Sequence, residues 1–343
     1  MKGAKLNVAV IGAGISGLST ATCIQESLPA ANVTIIADKF MDETLSIGAG
    51  GLFRPELEIG SSFDEIVKYY KDTYDHFVKV CLSEEKAGIQ FVSGYHLSSI
   101  DQNICMNKLL SNLLPDMRLA PSDELQRLFP QRFKYGYFYT TTITDPRYYL
   151  PWLQNKFLNA GGKMEKRFIA NLQTDATLKD FDAIVNCSGL GAKNLLNDWR
   201  LVPIRGQVIK VKAPWIKHFY FADGAYIIPA FDGLVTLGGI KQYGDWTSKV
   251  REEDKQFIWS RCTELVPSLQ NAEVCWEWCG LRPHRQPLRL ESEIIEVNGS
   301  RIPLIHNYGH GGHGVSLSRG TALKAAALLN EKLDRNHYLK SKL

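Results

Sequence analysis

The sequence predicts an α/β protein in which a discontinuous Rossmann-like nucleotide-binding domain carries an inserted mixed/antiparallel β-sheet domain. Three observations carry that expectation. The apolar run 6–11 leads into Gly12-Ala-Gly14-Ile15-Ser16-Gly17 and then a helix start. A second apolar run, 33–37, ends at the acidic residue Asp38. Two later apolar runs, 181–186 and 302–306, again enter glycine-rich turns, as if the chain returned to the same ligand.

The first turn has the chemistry a dinucleotide pyrophosphate requires. Gly12 permits the tight turn, Gly14 lets backbone approach phosphate, and Gly17 lets helix pack closely on strand. The helix start offers unpaired N–H groups and the positive end of a dipole to an anion. Asp38 is placed to accept from a ribose hydroxyl pair. The motif leaves open whether the dinucleotide is NAD, NADP or FAD.

Composition narrows the class. The 343 residues are 45% hydrophobic with a net charge of +4, an ordinary balance for a globular chain of two joined domains. No arginine-rich or aromatic-basic stripe points to nucleic acid, no apolar stretch approaches a membrane span, and no secretory leader is expected. The seven cysteines (Cys23, Cys81, Cys105, Cys187, Cys262, Cys275, Cys279) are scattered and contain no CxxC, which favours free thiols over disulfides or metal. The tripeptide Ser341-Lys342-Leu343 reads as a peroxisomal address recognised by an import receptor. Chemistry that makes or consumes peroxide suits such a location, and this tilts the cofactor toward flavin.

Along the chain, helical spacing recurs between 62 and 82, and strands are expected near 91–97. Helices follow around 109–114 and before Phe129, then a β-rich run at 137–143 and a helix at 148–160 stopped by Gly161-Gly162. From 202 to 239 the pattern is strand and turn; the last helix runs through 321–329. Segments 1–60, 145–200 and 295–343 are assigned to the nucleotide domain, and 61–144 and 201–294 to the substrate domain. No catalytic triad or HExxH motif is present, which fits an enzyme whose cofactor supplies the chemistry. The run Tyr308-Gly309-His-Gly311-Gly312-His-Gly314 after the last strand looks built for close backbone approach to a ligand.

These motifs together carry a resemblance. Val10-Ile-Gly-Ala-Gly, Ala37-Asp38-Lys39-Phe40, Asn186-Cys-Ser-Gly189, Arg205-Gly-Gln207, Ala213-Pro-Trp215, Thr236-Leu-Gly-Gly239, Gly280-Leu-Arg282-Pro283 and 306–314 with Gly320-Thr-Ala322 resemble the FAD-dependent D-amino-acid oxidase family, in particular its D-aspartate oxidase branch, over essentially the whole chain. The resemblance implies FAD as cofactor. It implies cofactor contacts from Gly12, Gly14, Ile15, Ser16, Gly17, Asp38, Lys39, Thr44, Ser46, Gly50, Gly51, Leu52, Ile169, Ser188, Gly189, Gly309, Gly311, Gly312, Gly314, Val315 and Ser316. It assigns Arg282 to the substrate α-carboxylate, Tyr226 to the same carboxylate through its hydroxyl, and the Gly312 carbonyl to the substrate amine. The implied reaction moves the Cα hydrogen as hydride to the flavin. The imino acid hydrolyses to a 2-oxo acid and ammonia, and dioxygen leaves as hydrogen peroxide. No general base is required.

The resemblance also bears on the substrate. The segment between Phe219 and Tyr226 is short and lacks the lid tyrosine of the neutral-substrate branch. Lys241 stands where D-aspartate oxidases carry an arginine, and Arg54 where D-amino-acid oxidases carry a glutamine. Both are candidates for a side-chain carboxylate. The lid arginine of D-aspartate oxidases is replaced by Tyr220-Phe221-Ala222. Acidic D-amino acids, D-aspartate first, are the expected substrates; neutral or basic D-amino acids are the alternative. The expected partners are substrate, dioxygen and the peroxisomal import receptor, with no nucleic acid or membrane, and the protein is read as monomer or homodimer. A NAD-dependent dehydrogenase and an inactive flavin sensor are the competing classes.

Overall fold

The computed structural model describes residues 5–56, 59, 62–101, 103, 108–114 and 116–340. Cys105 and the Ser341-Lys342-Leu343 address lie outside the described residues.

Two sheets organise the chain. The first has six strands, in the order Ser292–Val297, Ser300–His306, Ala183–Asn186, Asn7–Ile11, Asn32–Ala37 and Lys163–Lys166. All neighbours are parallel except the first, hairpin pair. Parallel strands need coverage on both faces, and the central strands Asn7–Ile11, Asn32–Ala37 and Ala183–Asn186 are largely apolar for that reason. Val8, Val10 and Ile35 pack into one core with Leu18 and Ile24 of the helix Ile15–Ser27, while Ala9, Ile11 and Ile184 join a second core on the opposite face. The three central strands end side by side, which brings Gly12, Asp38 and Ser188 to one edge. Ligands of open α/β sheets bind in this crevice at the carboxyl ends.

The second sheet is mixed. Its order is Tyr308–His310, Glu273–Arg289, Val202–Lys212, Leu234–Gly238, Ala225–Pro229, Phe219–Ala222, Ile89–Ser98, Tyr135–Thr144 and Arg118–Leu119, with Gln242–Tyr243 paired to Val202–Lys212. Only the Ile89–Ser98 to Phe219–Ala222 pairing is parallel among these strands. The core beneath it gathers Ile209, Val211, Ile227 and Leu237 against the helix Glu252–Leu265.

Two details refine the domain assignment. The helix Phe63–Ser83, placed by sequence in the substrate domain, instead buries Ile66, Tyr70 and Phe77 in the same core as Val8 and Val10. Its apolar spacing shows that one face is covered, not which neighbour covers it. The chain also passes from one sheet to the other at Asn307. His306 ends a strand of the first sheet and Tyr308 begins one of the second. Asn307 is fully buried there: its backbone N–H donates to Asn186 O at 2.9 Å and its Nδ2 donates to Thr20 Oγ1 at 3.0 Å.

Candidate active site

One cavity of about 760 Å³ runs between the two sheets. Its nucleotide end is lined by Gly12, Gly14, Ile15, Ser16, Asp38, Lys39, Thr44, Ser46, Ile169, Ser188 and Gly189. Gly50, Gly51, Leu52, Gly311, Gly312, Gly314, Val315 and Ser316 continue the wall. Arg54, Tyr226, Lys241 and Arg282 line it as well. Gly17 and Gly309, expected to touch the cofactor, are not among the residues that line this cavity. A Cβ on Gly17 would lie 1.9 Å from Gly12 O, so Gly17 serves the close contact of helix and turn. A Cβ on Gly309 would lie 2.8 Å from Arg285 Cβ, on the side of that turn packed against its own sheet.

The glycine turn has the form the spacing predicts. Gly12 adopts φ +107°, and a Cβ there would meet Cys187 O at 2.5 Å. The Ile15 N–H at the helix start donates to Ser46 Oγ at 3.0 Å, which ties the 44–48 segment to the anion-facing end of the helix. Asn307 Oδ1 is a buried acceptor on this wall with no hydrogen-bond partner in the protein. A cavity that runs from a phosphate cradle with an acidic residue at its rim to a second sheet fits an extended dinucleotide such as FAD. Cys187 also lines it, and burial pushes its thiol up to about 12, which favours the protonated form.

Arg282 and Tyr226 meet in this cavity. Arg282 lies on the long strand Glu273–Arg289, and its Nη1 donates to Ile240 O at 3.1 Å. Tyr226 is paired in register with Gly238. Burial pushes the Tyr226 phenol pKa up, while the hydrogen-bonded Arg282 guanidinium pulls it the other way; the hydroxyl stays protonated and able to donate. Two glycines make room for this pair. A Cβ on Gly206 would fall 2.3 Å from Arg282 Cζ, and one on Gly238 would fall 2.2 Å from Tyr226 Cζ.

The segment between Phe219 and Tyr226 is a tight hairpin. Ala222 pairs with Ala225, and Asp223 (φ +45°) and Gly224 (φ +88°) form the two-residue turn. The Asp223 carboxylate accepts from Ser99 N, Ser99 Oγ and Arg132 Nη1. The hairpin presents Phe221, whose ring stacks near-parallel to Tyr226 at 5.9 Å and lies 3.9 Å from Arg54 Cζ.

Arg54 and Lys241 converge on one carboxylate that the sequence reading did not single out. Glu56 Oε1 pairs with Arg54 Nη2, and Glu56 Oε2 lies 3.4 Å from Lys241 Nζ and 3.2 Å from His313 Nε2. Residues 54, 241 and 313 belong to three separated segments, so no local pattern could have revealed the cluster. His310, in the same glycine-rich run, is buried; burial pushes its imidazole down to about 4, and its Nε2 hydrogen-bonds Thr321 Oγ1 at 3.2 Å. It anchors the turn as a neutral ring. Arg205 and Gln207, which flank Gly206, are fully buried and hold the 242–254 segment rather than the cavity.

Among the described residues no group of three or more His, Cys, Asp or Glu is arranged to hold a metal, and no helix is long and apolar enough to cross a membrane. Cys23, Cys81, Cys187, Cys262, Cys275 and Cys279 are free.

A discontinuous dinucleotide fold whose cavity reaches an arginine–tyrosine pair defines a cofactor-dependent oxidoreductase, and comparison with known proteins gives the family. The FAD dependent oxidoreductase family matches residues 7–328, and the chain belongs to that family of flavin oxidases, with FAD as its cofactor. It is 38% identical to the D-aspartate oxidase of Homo sapiens over 330 residues, 94% of each chain. It is 34% identical to the D-amino acid oxidase of Dugesia ryukyuensis, covering 98% of this chain and all of that one. Among solved structures, a glycine oxidase from Bacillus cereus shares the fold with a TM-score of 0.79 over 96% of each chain, at 18% identity.

Proposed function

We propose that the protein oxidatively deaminates acidic D-amino acids, D-aspartate and D-glutamate, to the 2-oxo acid and ammonia, with dioxygen reduced to hydrogen peroxide. The observation that carries this reading is the convergence in one cavity of an α-carboxylate grip, Arg282 with Tyr226, and a second cationic group, Arg54 with Lys241. When bound, the flavin supplies the hydride acceptor and the route of electrons to dioxygen.

The chain's own residues bind and orient. The Arg282 fork donates bidentately to a carboxylate while its anchor on Ile240 O limits its swing. Tyr226 adds a hydroxyl donor, and the Gly312 carbonyl receives the substrate amine. Contacts at three points would hold one enantiomer in a single orientation. Positioning of this kind accounts for several orders of magnitude in rate without a general base. A second carboxylate then finds Arg54 and Lys241. The human D-aspartate oxidase at 38% identity supports the acidic preference. The Glu56 counter-charge on both cations supports the second reading, a neutral D-amino-acid oxidase.

Purified holoenzyme is expected to release peroxide from D-aspartate much faster than from D-alanine; the reverse order would assign the neutral reading. Residence in the peroxisome matrix, through import by a receptor reading Ser341-Lys342-Leu343, belongs to the same proposal, as does a monomeric or homodimeric state. A fluorescent fusion lacking the tripeptide is expected to stay outside peroxisomes.

A further inference from the structure

We infer that Glu56 is a resident carboxylate in the side-chain subsite and sets how strongly the enzyme discriminates acidic from neutral D-amino acids. The inference rests on the acidic-substrate reading for the class of ligand, and it concerns a residue that reading does not use.

Glu56 divides its two oxygens among donors from three segments: Arg54 on one, Lys241 and His313 on the other. All four residues line the cavity that Arg282 and Tyr226 enter. The Arg54, Glu56 and His313 side chains are each less than 15% exposed, so their interactions are weakly screened, whereas Lys241 is 48% exposed. Phe221 covers the Arg54 guanidinium on one face, which leaves the in-plane N–H groups as the binding edge. That edge is where Glu56 sits and where an incoming carboxylate would bind.

Charge gives the direction of the effect. Arg54 and Lys241 are cations, and Glu56 is an anion already paired with both. An acidic substrate must share these donors with Glu56 and approach a like charge. Glu56 therefore preorganises three donors and weakens the dicarboxylate they would otherwise hold. A neutral side chain feels neither effect. Glu56 is a specificity-determining residue: it contacts the groups that read the side chain, not the reacting atoms.

The test is Glu56→Gln, which keeps shape and removes charge, with Glu56→Asp as the charge-retaining control, both as FAD holoenzymes. The readouts are the ratio of kcat/KM for D-aspartate to that for D-alanine, and the affinity for succinate relative to propionate, read from perturbation of the flavin absorbance. Succinate and propionate are the two substrates without their amines. Glu56→Gln is expected to raise both ratios about tenfold and Glu56→Asp to leave them within about twofold. Ratios that stay unchanged or fall in Glu56→Gln overturn the inference, as does an equal rise in Glu56→Asp. Should Glu56→Gln fail to hold flavin, Glu56→Ser serves the same readouts. If the unmodified enzyme prefers D-aspartate while Glu56→Gln shows no rise, the inference fails and the acidic reading stands. If the unmodified enzyme prefers D-alanine while Glu56→Gln gains on D-aspartate and succinate, the acidic reading fails and the role of Glu56 stands.

Discussion

Gly206 lies directly under the guanidinium of Arg282: a Cβ at residue 206 would fall 2.3 Å from Cζ, Nη1 and Nη2 together. The two residues sit on paired strands, with Gly280 opposite Gly206 and Arg282 opposite Ile204, so the arginine side chain crosses the neighbouring strand over the one residue that has no side chain. The atoms a methyl group would meet are the far end of a flexible chain. Gly206→Ala should therefore fold normally and push the guanidinium off its Ile240 O anchor. The expected result is a rise in KM of about tenfold, equivalent to about 1.4 kcal/mol, with a small change in Tm. Steady-state kinetics beside a thermal melt separates the two; a large Tm loss with unchanged KM would contradict the packing argument.

Arg282→Ala should keep its flavin and lose turnover. A charge-assisted pair removed from a half-buried site costs about 3–5 kcal/mol, or roughly a 100- to 5,000-fold fall in kcat/KM. The flavin spectrum and peroxide release measure the two halves independently. Retained turnover would remove Arg282 from the substrate site.

Exposure ranks the two distal cations. Arg54 is 14% exposed and Lys241 48%, so solvent screens Lys241 more. Arg54→Ala is expected to raise the KM for D-aspartate more than Lys241→Ala does, about tenfold against about threefold, with D-alanine much less affected. Equal effects on both substrates would deny these residues a side-chain role.

Burial pushes His310 down to about 4 and His96 down to about 3, both below the ordinary imidazole value. Protonation then favours the unfolded chain, so the stability these neutral rings allow is complete above about pH 6.5. It declines as pH falls from there toward their folded values, with a limiting slope of about 1.4 kcal/mol per pH unit for each ring. Melts between pH 7.5 and 4.5 should show Tm falling through this window, and His310→Gln should flatten the fall. A flat profile would mean the rings are not buried as neutral groups.

The Arg205 side chain is fully buried and donates to Asp254, Gln242, Gln207 and the Thr247 and Lys249 carbonyls. Arg205→Ala leaves Asp254 and those carbonyls short of a donor and should cost about 3–5 kcal/mol of stability. Chemical denaturation of the holoenzyme measures this; a loss under about 1 kcal/mol would show that water replaces the guanidinium.

Much of this was legible before the structure. The glycine turn, the strand ending at Asp38 and the late return at Ser188 are local patterns with one physical meaning each, and all three reach the same crevice. Gly17 and Gly309 were harder, because a glycine that contacts a ligand and one that lets backbone pass leave the same letter. Arg205 and Gln207 belong to a recognisable motif, yet their side chains serve a loop. Gly206, between them, is the residue that admits Arg282.

Chain order was enough to predict the dinucleotide fold and, through the resemblance its motifs carry, the family and the two residues Arg282 and Tyr226 that meet in the cavity. Three-dimensional packing alone determined which charges meet. Arg54, Glu56, Lys241 and His313 are brought together by the two sheets closing on one cavity, and Coulombic contact depends on distance in space rather than along the chain. The Glu56 carboxylate among those cations was therefore invisible to any reading of segments one at a time.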